Sequence, residues 1–374
     1  MKIKETYCLN CRTRLKPRKI FYKCDNCGEV IDIIYDYDEI KKSIPKNFSQ
    51  IPISHWKYSL FYPFEKNLVS LGEGNTPLIF SEKLSKRLNS KVFLKYEGTN
   101  PTGSFKDRGS SLEISFAKSL NVENIVVAST GNMGASLAAY SAKAGIKCKV
   151  FLPKNVLKVK IEQIKSYGAK IEFFGETYTE AFNYVEKIHG KKYFLTGDYP
   201  LRCEGEKSVG FEIAEQLKFN SPDFIVSPVG NGTLIYSTWK AFKELKEVKL
   251  IKKLPKLIAV QASGCNPIVR AWNKGLEKVE PIEKAKTLAT AIACENPVYG
   301  NYALKAIRES NGLAVDISDK EMKIAKGILG KEGIYAELSA SASLAGIIKL
   351  KKEIFGNVVC LITGHGFKDL SLDF

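Results

Sequence analysis

The sequence predicts an α/β architecture in which two parallel-sheet domains follow a small unit held by a metal. Three observations carry that prediction. From Gly72 onward, short apolar β-rich runs alternate with helical stretches, the pattern of parallel strands covered by helices. Several of those runs end in small or glycine-rich turns that open into a helix, such as Ser227-Pro228-Val229-Gly230-Asn231-Gly232-Thr233. Four of the nine cysteines lie in the first 27 residues as two Cys-x-x-Cys pairs. At 374 residues, with 44% hydrophobic content, the chain exceeds one ordinary domain and has apolar surface for two cores.

The first element, residues 1–36, contains Cys8, Cys11, Cys24 and Cys27, with twelve residues between the pairs. Two such knuckles can set four thiolates around one zinc ion, and the span Arg12 to Lys23 is long enough for a hairpin. So short a segment cannot bury enough apolar surface to fold alone, so the metal supplies the missing stability. Four thiolates leave no open coordination position, which makes this zinc structural. The other five cysteines read as packing thiols, and the set as a whole suits a reducing compartment.

Residues 37–70 carry Pro45, Pro52 and Pro63 among many aromatics and read as a connector wrapping onto a neighbouring surface. Beyond it, strands are expected at Lys91–Lys95, Ile125–Ala128, Cys148–Leu152, Lys170–Phe174, Phe224–Ser227, Leu257–Gln261 and Val358–Thr363. Helices are expected at Ser110–Leu120, Ala135–Ala144 and Leu157–Tyr167. No apolar run approaches the roughly 20 residues of a membrane span, and the N-terminus carries no apolar stretch behind its basic residues. A soluble cytoplasmic protein without membrane association is the expectation.

The net charge of +17 arises from 57 basic and 40 acidic residues. A basic field attracts polyanions, which raises a zinc-ribbon nucleic-acid binder as one reading. The lysines are scattered rather than clustered, which favours a solvated surface or an anionic small substrate. The nucleic-acid reading also leaves four ordered elements further along the chain unexplained.

The first of these is Asn100-Pro101-Thr102-Gly103-Ser104-Phe105-Lys106-Asp107-Arg108-Gly109. A Gly/Pro/Asn-rich turn delivers Lys106 to the first turn of a helix, where the dipole and the neighbouring Arg108 disfavour the lysine's charge. A neutral amine is the form that bonds a carbonyl. Read alone, a lysine at a helix start beside Asp107 is more often a surface ion pair. The second is Ser129-Thr130-Gly131-Asn132-Met133-Gly134-Ala135-Ser136, a strand end turning into a helix. There Asn132 serves either as an amide donor to a ligand oxygen or as a helix cap. The third, Gly230-Asn231-Gly232-Thr233, is a turn able to close on an anion at a helix N-terminus. It lacks both the lysine of a nucleotide-triphosphate loop and a dinucleotide fingerprint. The fourth is Thr363-Gly364-His365-Gly366 after the last strand, where Thr363 can hydrogen-bond a neutral ring nitrogen. His365 reads as shaping that turn or lining a pocket.

Together these stretches resemble the fold-type-II pyridoxal-phosphate (PLP) enzymes, the family of tryptophan synthase β-chains, serine/threonine dehydratases and threonine synthases. The wording is nearest to the threonine synthases. Glu73-Gly74-Asn75-Thr76-Pro77-Leu78, Asn296-Pro297-Val298 and Glu332-Gly333-Ile334 extend the resemblance over about residues 70 to 370. It implies PLP held by Lys106 as an imine, Asn132 at the cofactor's phenolic oxygen and Gly230, Asn231, Gly232 and Thr233 at its phosphate, with Thr363 at its pyridine nitrogen. It further implies Ser129 and Thr130 near the substrate carboxylate, and Arg202, Lys207 and Ser104 at the phosphate of O-phosphohomoserine. The small domain, 108–194, would be inserted in a large PLP-binding domain formed by 71–107 and 195–374, and the molecule would be a homodimer acting on a small phosphorylated amino acid. Two departures bear on the substrate's leaving group: Thr196 to Tyr199 stand where the family carries asparagines, and Leu338 replaces a commoner proline. A threonine or serine dehydratase, or a phosphoserine-using synthase resembling cysteate synthase, are the alternatives within the family.

Overall fold

The computed structural model describes residues 3–17, 22–190 and 192–370. Residues 18–21, within the expected hairpin between the cysteine pairs, lie outside the described residues, as do 191 and 371–374. The strands are β1 (Ile3–Cys8), β2 (Arg14–Leu15), β3 (Ile31–Tyr35), β4 (Leu78–Ser81), β5 (Lys91–Tyr96), β6 (Asn124–Ala128) and β7 (Lys147–Leu152). They continue with β8 (Lys170–Phe173), β9 (Phe194–Leu195), β10 (Phe224–Pro228), β11 (Lys256–Ala262), β12 (Leu313–Ile317) and β13 (Asn357–Ile362). They make three sheets, ordered β2-β1-β3, β12-β11-β10-β13-β5-β4 and β8-β7-β6-β9. The first is antiparallel. The other two are parallel apart from the edge strand β4. All seven strands expected from apolar runs form. The edge strands β4, β9 and β12 are not among those expected from apolar runs, whereas β8, also at an edge, is.

The cysteine-bearing sheet is too small to hold a core, and it docks on the larger body through a buried polar joint. Lys240 Nζ donates to the Ile33 carbonyl at 2.6 Å and pairs with Asp32 at 2.5 Å and Glu204 at 2.6 Å. The Tyr236 hydroxyl donates to Asp32 and the Tyr302 hydroxyl to the Val30 carbonyl. The chain between this sheet and the body forms the helix Tyr37–Ser43 and 3₁₀ turns at Phe48–Gln50 and His55–Phe61. Phe61 and Tyr58 stack on Phe211, and Phe64 on Phe116. The apolar connector therefore wraps onto the body, as its aromatic content leads one to expect.

The order β10-β13-β5 decides where chemistry can occur. In a parallel sheet these three neighbouring strands end on the same edge, where open α/β sheets place their ligands. The chain leaving β10 is the Gly230–Thr233 turn, the chain leaving β13 begins at Thr363, and the chain leaving β5 runs through the loop to Lys106. The chain leaving β6, in the four-stranded sheet, begins at Ser129. Among the described residues no helix is long and apolar enough to cross a membrane.

Candidate active site

Lys106 opens the helix Lys106–Ser119, and its loop is fastened to the turn after β13. Phe105 N–H donates to the Thr363 carbonyl at 3.1 Å, and His365 N–H donates to the Gly103 carbonyl at 2.9 Å. Gly103 sits at φ +83°, a left-handed conformation that suits glycine. Asp107 is no surface ion-pair partner. It is buried and accepts from Thr102 N–H at 2.7 Å and Ser136 Oγ at 2.6 Å, tying the loop to the helix Asn132–Ala144. Burial pushes its carboxyl up to about 6.

The Arg108 side chain is bound elsewhere than at the lysine. Two positions apart on a helix, the side chains diverge. The fully buried guanidinium contacts Glu97 through Nε at 2.7 Å and Glu212 through NH1 at 2.7 Å, and also donates to Ser208 and Thr76. Two carboxylates neutralise it. Lys106 Nζ instead faces Glu206 Oε1 at 3.6 Å and Asp198 Oδ1 at 3.9 Å, with the Phe105 ring centroid at 4.5 Å. Adjacency in sequence therefore misleads about the field at Lys106: the groups that reach it are acidic.

Asn132 is the first residue of its helix, but Ser129 does the capping, its hydroxyl accepting from Gly131 and Gly134 N–H at 2.9 and 2.8 Å. The Asn132 amide is thus left for the cleft. Its Nδ2 donates to Glu337 at 2.7 Å, and its Oδ1 is buried without a hydrogen-bond partner among the described residues. Glu337 also accepts from Lys160 at 2.6 Å. Nearby, burial lowers the Lys368 ammonium to about 8.

The Gly230–Thr233 turn leads into the 15-residue helix Thr233–Glu247, which no side chain caps. Gly232, at φ +92°, is packed so that a Cβ would lie 2.8 Å from the Tyr299 carbonyl oxygen. The Asn231 side chain accepts from Val298 N–H at 2.6 Å and donates to Asp198 at 2.6 Å, while Thr233 Oγ1 donates to Asp198 at 2.7 Å. Burial opposes ionisation of Asp198, but the charges of Lys106 and Arg202, with these donors, outweigh it and hold the carboxyl below its ordinary range.

One cleft gathers Lys106, Ser129, Thr130, Asn132, Gly230, Asn231, Gly232, Thr233 and Thr363. Three residues expected at a substrate phosphate do not join them. Lys207 Nζ is fully buried, donating to the Phe61 carbonyl and pairing with Glu204 at 2.6 Å and Glu244 at 2.8 Å. The Arg202 guanidinium is also fully buried, bound to Glu113, to Ser110 Oγ at 3.1 Å and to the Gly197 and Lys106 carbonyls at 3.2 Å. Ser104 Oγ is buried with no hydrogen-bond partner among the described residues. The physical reason for the first two is the acidic side chains packed around them, which claim both cations inside the fold. Unforeseen members of the cleft are Asp198, Tyr178, Ser339 and Glu337. The only signal for Asp198 is its place in the atypical Thr196–Tyr199 stretch. His365 accepts from Phe367 N–H at 3.2 Å and stacks on Tyr96, so it shapes the turn.

The cleft fits a flat aldehyde bearing a phosphate. An uncapped helix N-terminus behind a glycine turn suits the phosphate, Lys106 presents an amine, Asn132 an amide with an unsatisfied oxygen, and Thr363 a hydroxyl. At the other end of the chain the Sγ atoms of Cys8, Cys11, Cys24 and Cys27 all lie within 4.8 Å of one another. Zn–S bonds of about 2.3 Å in a tetrahedron space sulfurs about 3.8 Å apart, so the four thiols fit zinc.

Comparison with known proteins adds independent findings. The family model described as pyridoxal-phosphate dependent enzyme matches residues 69–364. A threonine synthase of Methanocaldococcus jannaschii is 41% identical over 97% of this chain and 92% of its own. One of Methanosarcina acetivorans is 40% identical over 97% of this chain and 91% of its own. Among solved structures, a threonine deaminase from Solanum lycopersicum superposes with a TM-score of 0.69 at 22% identity, covering 92% of each chain. At that identity the likeness concerns the fold.

Proposed function

The chain belongs to the pyridoxal-phosphate dependent enzymes and, within them, to the threonine synthases; from that premise we propose how its cleft converts O-phospho-L-homoserine and water to L-threonine and phosphate. The observation that carries the reading is the meeting of Lys106, Asn132, the Gly230–Thr233 turn and Thr363, from four separate strand ends, in one cleft. Lys106 holds the cofactor covalently. Gly230, Asn231, Gly232 and Thr233 would hold its phosphate at the helix N-terminus, Asn132 would donate to its phenolic oxygen and Thr363 would meet its ring nitrogen. The bound cofactor supplies an electron sink for charge developing beside the amino-acid nitrogen.

Ser129 and Thr130 bind the substrate carboxylate at the start of the helix Asn132–Ala144. With the cofactor bound, the Lys106 amine would take the α-proton and serve as acid and base at the substrate carbons: a β-proton is lost as phosphate leaves the γ-carbon, the γ-carbon gains a proton, water adds at the β-carbon and a proton returns to the α-carbon. Arg202 has a positioning role, since its guanidinium grips the Lys106 carbonyl and not the open cleft. The substrate is a small phosphorylated amino acid, and a homodimer working in the cytoplasm belongs to the same proposal, supported by the family resemblance. So does the division into a small unit, 108–194, built on the four-stranded sheet, and a larger one built on the six-stranded sheet.

The test is incubation of the PLP-loaded protein with O-phosphohomoserine, following phosphate and amino-acid products together. Threonine and phosphate in equal amounts are expected. Formation of 2-oxobutyrate from threonine, without phosphate release from phosphohomoserine, would replace this reading with a dehydratase.

Zinc at the four cysteines is part of the proposal. Metal analysis is expected to find one zinc per chain, and Cys24→Ser to lose it. Because the binding free energy of a structural zinc, on the order of 10 kcal/mol, is folding free energy for the unit that holds it, the variant should also be cut readily within its first 36 residues by added protease. Full zinc retention in the variant would sink the assignment.

A further inference from the structure

Lys106 meets two carboxylates whose surroundings differ. Asp198 is well supplied with donors: Thr233 Oγ1 and Asn231 Nδ2 at 2.7 and 2.6 Å, and the Tyr178 hydroxyl at 3.2 Å. Glu206 is not. It lies at the end of the helix Pro200–Glu206, is fully buried, and neither carboxylate oxygen has a hydrogen-bond partner among the described residues. Four ionisable groups share its surroundings. Lys106 Nζ approaches from the start of its helix at 3.6 Å and Arg202 NH1 from its own helix at 3.7 Å. Asp198 faces it from the preceding loop, and Glu113 from the middle of the lysine's helix competes for Arg202.

An ionised carboxylate that is buried without hydrogen bonds is costly, whereas the neutral acid is far less so. Burial, reinforced by Asp198 and opposed by Lys106 and Arg202, raises the Glu206 carboxyl above its ordinary range. Two acids with divergent environments beside one reacting amine make a division of labour: Asp198 stays charged, and Glu206 is free to change state.

We propose that Glu206 is the proton store of Lys106, taking the ammonium proton when the amine must be neutral and returning it when the lysine acts as an acid. The transfer is balanced within the site: Lys106 ammonium and Glu206 carboxylate become amine and carboxylic acid, and no proton crosses to solvent. Glu206 acts through Lys106 and touches no substrate atom. The proposal rests on the reading that Lys106 bonds the cofactor.

The test measures how fast apoprotein and PLP form a borohydride-reducible linkage between roughly pH 6 and pH 9, for the wild type, Glu206→Gln and Glu206→Asp. Ionisations of PLP are common to all three and cancel in the rate ratios. In Glu206→Gln the proton must leave to solvent, so its rate relative to wild type is expected to fall about tenfold for each unit of decreasing pH. Glu206→Asp is expected to run parallel to wild type. A Gln-to-wild-type ratio constant within about twofold over the range would overturn the proposal while leaving the cofactor reading in place. Failure of the wild type to form the linkage at any pH would remove both. Should the Gln variant not fold, the infrared difference spectrum on adding PLP decides: a new protonated-carboxyl band, displaced in Glu206→Asp, supports the store, and its absence or indifference to the Asp change overturns it.

Discussion

A Lys106→Ala protein is expected to bind PLP without a borohydride-reducible linkage and to turn over O-phosphohomoserine at least about 10³-fold more slowly than the wild type. Folding should be spared. The loop that carries Lys106 is held by backbone hydrogen bonds to Thr363 and Gly103, and by Asp107 through Thr102 and Ser136. None of these uses the lysine side chain, whose ionic neighbours among the described residues lie at 3.6 and 3.9 Å. Thermal melts with an absorption spectrum and a coupled phosphate assay separate the two outcomes. Retained turnover in a variant that keeps its fold would remove Lys106 from the mechanism.

The largest effect on stability is expected at Arg108. Its guanidinium joins Glu97 from the loop after β5 to Glu212 of the helix Ser208–Gln216, with Lys95 Nζ on Glu212 at 2.8 Å. Arg108→Ala leaves two buried carboxylates short of their main cation and opens a void, and breaking such a pair costs about 3–5 kcal/mol. The pH dependence has a definite sign. Burial opposes ionisation of Glu97 and Glu212, but the Arg108 charge outweighs it and holds both carboxyls below the ordinary range. Their stabilisation is therefore complete above the unfolded glutamate value of about 4.3 and is lost as pH falls through the lower folded values. In the variant, unpaired burial raises them, so its stability declines as pH rises from that same value. The deficit should be full near neutrality and narrow in acid. Urea melts of both proteins at neutral and acid pH check this, and equal deficits at both would mean that the effect is packing alone.

Much of the molecule is legible in its residues. The apolar runs mark the strands because strands buried on both faces read as continuous hydrophobic segments. The four turns that form the cleft are visible for a related reason: a strand end opening into a helix near a ligand needs small residues, and glycine, asparagine and serine leave a mark on the sequence. The four clustered thiols are equally plain, since two short knuckles form their own local geometry.

Side-chain direction is different. Arg202, Glu204, Glu206 and Lys207 occupy barely one and a half turns of chain, yet Arg202 and Glu206 point toward Lys106 while Glu204 meets Tyr35 and Lys240 beneath the ribbon. Lys207 is held by Glu244. The family resemblance alone gives both cations the look of phosphate ligands. Only the packed structure reveals that buried acids had claimed them, because such pairing joins groups distant in sequence and leaves no local pattern. In the same way the residues determine that Lys106 ends a glycine-rich loop at a helix start. Which charged groups stand beside it, Glu206 at 3.6 Å and Asp198 at 3.9 Å, is decided by the tertiary fold, because electrostatic influence follows distance in space and not order along the chain.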